Sequence, residues 1–509
     1  MQRSAALAAL RDSPTRWDVL VIGGGASGLG AALDAAARGL RVALVEQHDF
    51  AKGTSSRSTK LIHGGFRYLK QGNVALVRES LRERGRLLRN APHLVHPLAF
   101  VVPCRHWWEA PYYGAGLKLY DWFAGAAGLE PSRWLGRHAA LAALPNLQPA
   151  GLRGGVRYCD GQFDDAALAL ALVKTLFDLG GVAANYVRVT ALLKENGRVA
   201  GARVMDAESS TEWEIRARVV INATGVFTDS VRQLDDPAAP RVIAASQGAH
   251  LVLPREFWPG DTALMVPRTD DGRVLFVIPW HGRVLVGTTE TAVADIVLEP
   301  RPLAEEIEFL LTQSGRYLAR RPTERDILSV TAGLRPLVQS TGAKSTATLP
   351  RDHVVLVSAS GLVSIAGGKW TTYRQMAADT VDRALGVAGL PARPCASETL
   401  ALADARRPVT VSEAPLHPQL PLAAADVLFA AREQMARSVE DVLARRTRAL
   451  LLDARAARAV ASQVAALLAR EFGCDAQWEA AQVAAFNELA DGHLPKSAGY
   501  FVGDDVRSL

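Results

Sequence analysis

Gly23, Gly25 and Gly28 stand at the spacing of a turn that wraps a pyrophosphate, and Glu46 follows one strand later. Gly23 permits the tight turn. Gly25 lets the backbone approach the phosphates, and Gly28 lets the next helix pack close to the strand. The helix N-terminus offers free N–H groups and a positive dipole end to the anion. Glu46 closes the second strand, where a carboxylate accepts ribose hydroxyls. This is chemistry for FAD or NAD. Residues 54–60 (TSSRSTK) are dense in hydroxyls and cations that can wrap a pyrophosphate and a ribityl chain. Ala223-Thr224-Gly225 ends a strand with residues small enough to let a long cofactor pass, and Gly367-Gly368-Lys369 precedes a late helix. Three distant segments touching one extended cofactor are the pattern of FAD.

The elements that must position these groups are legible from periodicity. Residues 18–46 read as strand, helix and strand, and 163–180 as an amphipathic helix ending at a Gly. Residues 182–189 and 199–205 read as strands, and 218–225 as a buried strand. Residues 242–290 read as an antiparallel section with a hairpin at His281-Gly282-Arg283. A helix near 303–318, a buried strand over 354–360 and a helix over 371–385 follow. Beyond 400, a Pro-containing linker leads to helices at 422–436, 438–450, 454–472 and 475–489. Val439, Val442, Leu443, Leu450 and Leu451 form an apolar stripe, with Arg445, Arg446 and Arg448 at its edge. The fold class is α/β. A discontinuous Rossmann-like FAD-binding domain (17–90, 156–241, 330–390) is interrupted by an antiparallel-sheet substrate domain (91–155, 242–329). A C-terminal helical cap covers 400–509.

Bulk composition narrows the function classes. The chain has 509 residues, 49% hydrophobic and 22% charged, which suits two or three globular domains. Its net charge of +6 suits an anionic substrate or membrane surface and does not call for nucleic acid. Four scattered cysteines without a CxxC pair argue against a disulfide framework, a zinc site or an iron–sulfur cluster. No apolar run is long enough for a transmembrane helix, and the N-terminus lacks a secretory pattern. The basic N-terminal stretch and the Arg-rich late helices are the candidate membrane-docking surfaces.

Several longer motifs resemble one family. They are TSSRSTKLIHGGFRYL (54–69), APHLVHPLAFVVP (91–103), QFDDAAL (162–168), GRVLFVIPWHGRVLVGTTE (272–290), AGLRPL (332–337) and GGKWTTYR (367–374). The chain is similar to the FAD-dependent glycerol-3-phosphate dehydrogenases of the D-amino-acid-oxidase-like superfamily, over roughly 17–490. Residues 440–453 resemble that family's helical cap. The resemblance implies oxidation of sn-glycerol 3-phosphate to dihydroxyacetone phosphate, with FAD taking the hydride. It implies electron transfer to a membrane quinone from a cytoplasmic protein peripheral on the inner face of the cell membrane, and leaves a homodimer open. It implies FAD contacts from Gly23, Gly25, Ser27, Gly28, Glu46, Ser55, Ser56, Lys60, His63, Gly64, Gly65, Val187, Thr224, Gly225, Gly368 and Lys369. The implied substrate set is Arg67, Tyr68, His250, Arg335, Lys369 and Thr371, and it includes the catalytic group of His250, Arg335 and Lys369.

A phosphorylated secondary alcohol needs fixed cations, a base and a dry site. Arg335, between Leu334 and Pro336, offers a planar fork for the phosphate. Arg67 is a second fork, and Lys369 a point charge. His250, in the uncharged stretch IAASQGAHLVLP, is the expected general base, with His63 the runner-up. Two departures from the family pattern stand out. Gln247 replaces a common Lys and is expected to weaken the anion site. Trp370 replaces a common Leu. A glycerol-3-phosphate oxidase using O2, or a dehydrogenase for another small anionic alcohol, shares much of this pattern.

Overall fold

The computed structural model describes residues 1–13, 15–66, 73–339, 352–408 and 413–495. Its first sheet is built on the strand Trp17–Ile22, which runs parallel to Val42–Val45 on one side and to Glu212–Asn222 on the other. The short strand Val182–Ala184 extends the Val42–Val45 edge, and Val363–Gly367 extends the Glu212–Asn222 edge. His353–Val357 adds antiparallel to Val363–Gly367. The apolar strands are buried on both faces, as parallel strands covered by helices must be. The small-residue helix Ala26–Ala37 lies against Tyr373–Ala388 and Asp165–Asp178.

The second sheet is almost wholly antiparallel. Its order runs Thr291–Ala292, Ile243–Pro254, Arg283–Gly287, Leu275–Trp280, Ala263–Val266, Val95–Cys104, Gly154–Phe163 and Leu61–Ile62. Ser329–Val338 also pairs with Ile243–Pro254, from Ile243 to Val252. Three strands that fall wholly or mostly in the expected FAD-binding domain therefore belong to this sheet, Leu61–Ile62, Gly154–Phe163 and Ser329–Val338. A short, fully buried apolar run reads alike in either sheet, and only its partner decides. His353–Val357, expected as buried, is half-buried at the sheet edge.

The C-terminal helices Ala424–Glu433, Ala454–Phe472 and Ala476–Asp491 pack on the second sheet through one apolar core. Asp453 and Asp475 cap the last two by accepting from Ala456 N and Trp478 N. The expected helix over 438–450 is instead a π-helical turn, Asp441–Arg446, followed by the short helix Ala449–Leu452.

The arginines of that turn correct the sequence reading. Arg445 and Arg446 both donate to Asp49, whose side chain is fully buried, and Arg445 also donates to Asp441. Arg448 donates to the buried Asp165. All three lock the C-terminal helices to the FAD-binding domain and present no cation to a membrane. In the N-terminal stretch Arg3 is likewise engaged, pairing with Asp206 and Glu208, while Arg11 and Arg16 stand at the surface. Among the described residues no helix is long and apolar enough to cross a membrane.

Candidate active site

One cavity of about 580 Å³ joins the glycine turn to the second sheet. The first strand ends at Gly23, whose φ is +109°. A Cβ there would lie 2.6 Å from the Ala223 carbonyl oxygen, and one on Gly28 would lie 1.9 Å from the Gly23 carbonyl oxygen. Only glycine lets strand, turn and helix meet this closely. Ala26 N, in the first turn of the helix, donates to Ser55 Oγ (2.9 Å). Glu46 accepts from Gly24 N (2.6 Å) and His48 N (2.9 Å), which fixes its carboxyl at the cavity wall. Burial pushes that carboxyl above the usual range, and these two N–H groups oppose the shift.

Gly23, Gly25, Ser27, Glu46, Ser55 and His63 line this cavity, as do Val187, Thr224, Gly225, Gly368 and Lys369. Such an elongated, glycine-floored slot with hydroxyl donors and a ribose-side carboxylate fits FAD. Trp370 also lines it. Its indole N–H donates to the Ser55 carbonyl (2.8 Å), and its ring packs edge-on to Phe163 and Tyr373. A leucine there would lose the hydrogen bond that ties the late segment to the 54–56 turn.

The reactive end is written on two adjacent strands. Ile243–Pro254 and Ser329–Val338 pair so that Gly248 stands opposite Gly333, His250 opposite Thr331, and Ser246 opposite Arg335. Side chains alternate along a strand, so positions 246, 248 and 250 share one face. The two glycines leave a shallow floor, and Arg335 folds back across it. A Cβ on Gly248 would lie 2.2 Å from Arg335 Nη2. The guanidinium therefore sits about one two-residue step, roughly 7 Å, from His250. Arg335 donates to the carbonyls of Gln247 and Thr289 and to the Thr288 hydroxyl. Lys369 donates to Ser80 Oγ (3.1 Å), and Thr371 accepts from His63 N (3.3 Å).

His250 is 2% exposed. Its Nε2 is 3.0 Å from Thr59 Oγ1, while Nδ1 is buried and has no partner among the described residues. Gly287 makes room for the ring, since a Cβ there would lie 2.2 Å from His250 Cδ2. Burial pushes the imidazole down to about 3, and the charges of Lys60 and Arg335 push the same way. His250 is neutral at any ordinary pH.

Some expected positions lie elsewhere. Lys60 points away from the cavity to Asp165 Oδ2 (2.6 Å) and the Ser56 carbonyl (2.8 Å), and burial lowers it to about 8. Ser56 contributes that carbonyl and also accepts from Arg448, so it serves the ion cluster. Gly64 N donates to the Tyr120 hydroxyl, and Gly64 and Gly65 are buried behind the cavity wall. Arg67 and Tyr68 lie outside the described residues. Gln247 falls on the opposite face of its strand and donates to Glu306 Oε2 (2.8 Å) and the Arg301 carbonyl. It is not among the residues that line the cavity. Sequence reading missed Thr59, Gly248, Gly287 and Gly333. A glycine inside an apolar strand often marks a close approach, and that was the available signal.

The family described as FAD dependent oxidoreductase matches residues 18–374, and the C-terminal domain of alpha-glycerophosphate oxidase matches 395–479. A probable mitochondrial glycerol-3-phosphate dehydrogenase of Caenorhabditis elegans is 40% identical, covering 95% of this chain and 74% of its own. The chain belongs to the FAD-dependent glycerol-3-phosphate dehydrogenase family. The mitochondrial member from Mesocricetus auratus is 47% identical over 77% of this chain, and this chain spans only 56% of its length. The family fold is also seen in the Bacillus halodurans glycerol-3-phosphate dehydrogenase complexed with FAD. The two share a TM-score of 0.77 at 26% identity, with 97% and 98% of the chains covered. As a family member, this chain is an FAD-dependent oxidoreductase, and the glycine-floored slot is where its residues suit FAD.

Proposed function

We propose that the chain oxidises sn-glycerol 3-phosphate to dihydroxyacetone phosphate and passes the electrons to a membrane quinone. One observation carries the reading. His250 and Arg335 flank the Gly248–Gly333 floor in the cavity that also holds the dinucleotide turn. The roughly 7 Å step between base and guanidinium suits a substrate with its phosphate at one end and a secondary hydroxyl near the other. The relatives' names point to the same substrate.

Arg335 holds the phosphate through a fork already oriented by the Thr288 hydroxyl and two carbonyls. Lys369 adds a second positive charge. His250 Nε2 hydrogen-bonds Thr59 Oγ1, which holds the ring, and the neutral imidazole takes the hydroxyl proton. A neutral imidazole beside two cations accepts that proton only transiently, which favours its release in the same turnover. FAD, when bound, supplies the hydride acceptor.

Anaerobic addition of glycerol 3-phosphate to the purified yellow protein should bleach the flavin band near roughly 450 nm. A band that persists would remove this substrate. A second reading hands the electrons to oxygen, and the match of residues 395–479 to a glycerophosphate oxidase domain favours it. Oxygen uptake without added quinone would select it.

A further inference from the structure

Residues 294–302 pass the cofactor cavity as an irregular strap. Val293 N donates to the Ala245 carbonyl. Beyond it, among the described residues, no backbone-to-backbone hydrogen bond holds the strap before Leu303. Val297 is exposed on its outer side, and Leu298 lines the cavity. The strap is anchored instead through side chains. Gln247 Nε2 donates to the Arg301 carbonyl (3.0 Å). Glu299 accepts from Arg57 Nη2 (2.5 Å), and Lys52 Nζ lies 3.8 Å from its other oxygen. Lys52 and Arg57 themselves line the cavity. Between Val293 and Arg301, Glu299 is the strap's one polar side-chain anchor among the described residues.

The same lysine reaches the C-terminal helices. Lys52 Nζ donates to Glu440 Oε2 (2.7 Å), just before the π-helical turn Asp441–Arg446. Arg445 Nη1 donates to Glu440 Oε1 (2.7 Å) and continues to Asp49 through its Nε. Burial pushes the Glu440 carboxyl up, but Arg445 and Lys52 outweigh it and hold it down at about 2. Charges of opposite sign thus alternate along one chain of contacts: Arg57, Glu299, Lys52, Glu440, Arg445 and Asp49. It joins the 52–57 turn of the cavity wall, the strap and the C-terminal helices, which are far apart in sequence. The side chains of Arg57, Lys52, Glu440 and Glu299 are 9%, 14%, 21% and 31% exposed. Networked pairs this far out of water hold geometry better than isolated surface pairs.

We propose that Glu299 is a latch held by Lys52 and Arg57, and that this latch, braced by Glu440, retains FAD in the cavity. The C-terminal helices thereby control cofactor exchange through Lys52. Glu299 and Glu440 are positioning residues, since neither lines the cavity. Releasing Glu299 frees the strap from Arg57, and the wall at Leu298 opens. The inference concerns the cofactor alone and stands apart from the choice of substrate or electron acceptor.

The test follows FAD release from the full FAD-loaded chain, without substrate, as the rise in flavin fluorescence after dilution. Glu299→Gln should speed release by about tenfold, the worth of one charge-assisted hydrogen bond. Glu440→Gln should speed it by about threefold, because Arg57 still holds Glu299. The two changes together should fall short of the product of the single effects, as for groups in one network. Lys52→Arg keeps the charge and should keep release slow. Added salt should speed release from the parent and leave Glu299→Gln unchanged. Thermal melts at saturating FAD separate a latch from general loosening, and Glu299→Gln should melt close to the parent. Release from Glu299→Gln at the parent's rate would overturn the proposal. Faster release with an early melt and an undiminished response to salt would also overturn it, because the change would then have loosened the fold as a whole.

Discussion

Thr59 Oγ1 lies 3.0 Å from His250 Nε2, and this contact holds the buried imidazole ring in its orientation. Removing the hydroxyl frees the ring. Thr59→Val should slow anaerobic flavin reduction by about tenfold, the worth of one hydrogen bond of 1–1.5 kcal/mol. FAD content should hold. Thr59→Ser should restore the rate, because it keeps the oxygen. A serine variant as slow as the valine would refute the positioning role.

Arg335 and Gly248 form a single device, because the guanidinium rests where a Cβ of residue 248 would be. Arg335→Ala should raise the Michaelis constant for glycerol 3-phosphate by about a hundredfold, from loss of charged hydrogen bonds. Gly248→Ala should raise it too, by displacing the same group without removing it. Neither change touches the glycine turn, so FAD binding should survive. Steady-state kinetics alongside the flavin spectrum would separate the two effects. An unchanged constant in both variants would put the phosphate elsewhere.

The pH profile follows from His250, whose imidazole is lowered from 6.5 to about 3. A lowered value means the proton leaves early, so the base is competent throughout the range above 3. Its contribution to kcat/KM should not fall as pH drops through 6.5. The stability sign is the reverse of a His that gains a partner. The unfolded chain protonates this residue below 6.5 while the folded one does not, so folding loses stability from 6.5 down towards 3. His250→Asn should flatten that part of the stability curve, measured by thermal melts across pH. A kinetic limb near 6.5 that disappears in His250→Asn would contradict the assignment.

The parts of this molecule legible in sequence are those whose demand is local. The turn at Gly23 and Gly28 needs residues within six positions, and the helix Ala454–Phe472 falls where its apolar period and Gly473 place it. What escaped depends on partners far along the chain. Lys60, Arg445, Arg446 and Arg448 read as surface or cofactor cations until Asp49, Asp165 and Asp441 are seen beside them. Gly248 and Gly333 are 85 residues apart in numbering, and only the pairing of their strands makes one floor of them. The exposed outer face of Glu109–Ala124 carries the same apolar period as its buried face, so periodicity could not tell them apart.

Asp49 is the joint between the C-terminal helices and the FAD-binding domain. It accepts from Arg445 (2.5 Å) and Arg446 (2.5 and 2.7 Å) with its side chain fully buried. Both guanidinium groups hold its carboxyl well below the usual range, against the burial that opposes them. The stability it provides is therefore fully present above the ordinary carboxylate range and is lost progressively as acidification carries the pH through that range and below it. Asp49→Asn leaves two buried cations short of charge and should cost about 3–5 kcal/mol. The variant should melt earlier, and protease should cut its C-terminal helices first. A melt identical to that of the parent would show that Glu440 and Asp441 suffice.

Gln247→Lys tests whether the departure from the family pattern matters to the anion site. Residue 247 alternates with 246 and 248, so its side chain enters the opposite face from Arg335 and His250. There the amide meets Glu306, whose carboxylate also accepts from the Thr289 and Thr291 hydroxyls and from Leu303 N. A lysine would find that carboxylate before any phosphate, and its charge would be neutralised by it. The Michaelis constant for glycerol 3-phosphate should stay within about twofold of the parent, because a paired charge behind the sheet exerts little field in the cavity. A tenfold fall would mean that the lysine leaves Glu306 and reaches the substrate, and that Gln247 does weaken phosphate binding in this chain.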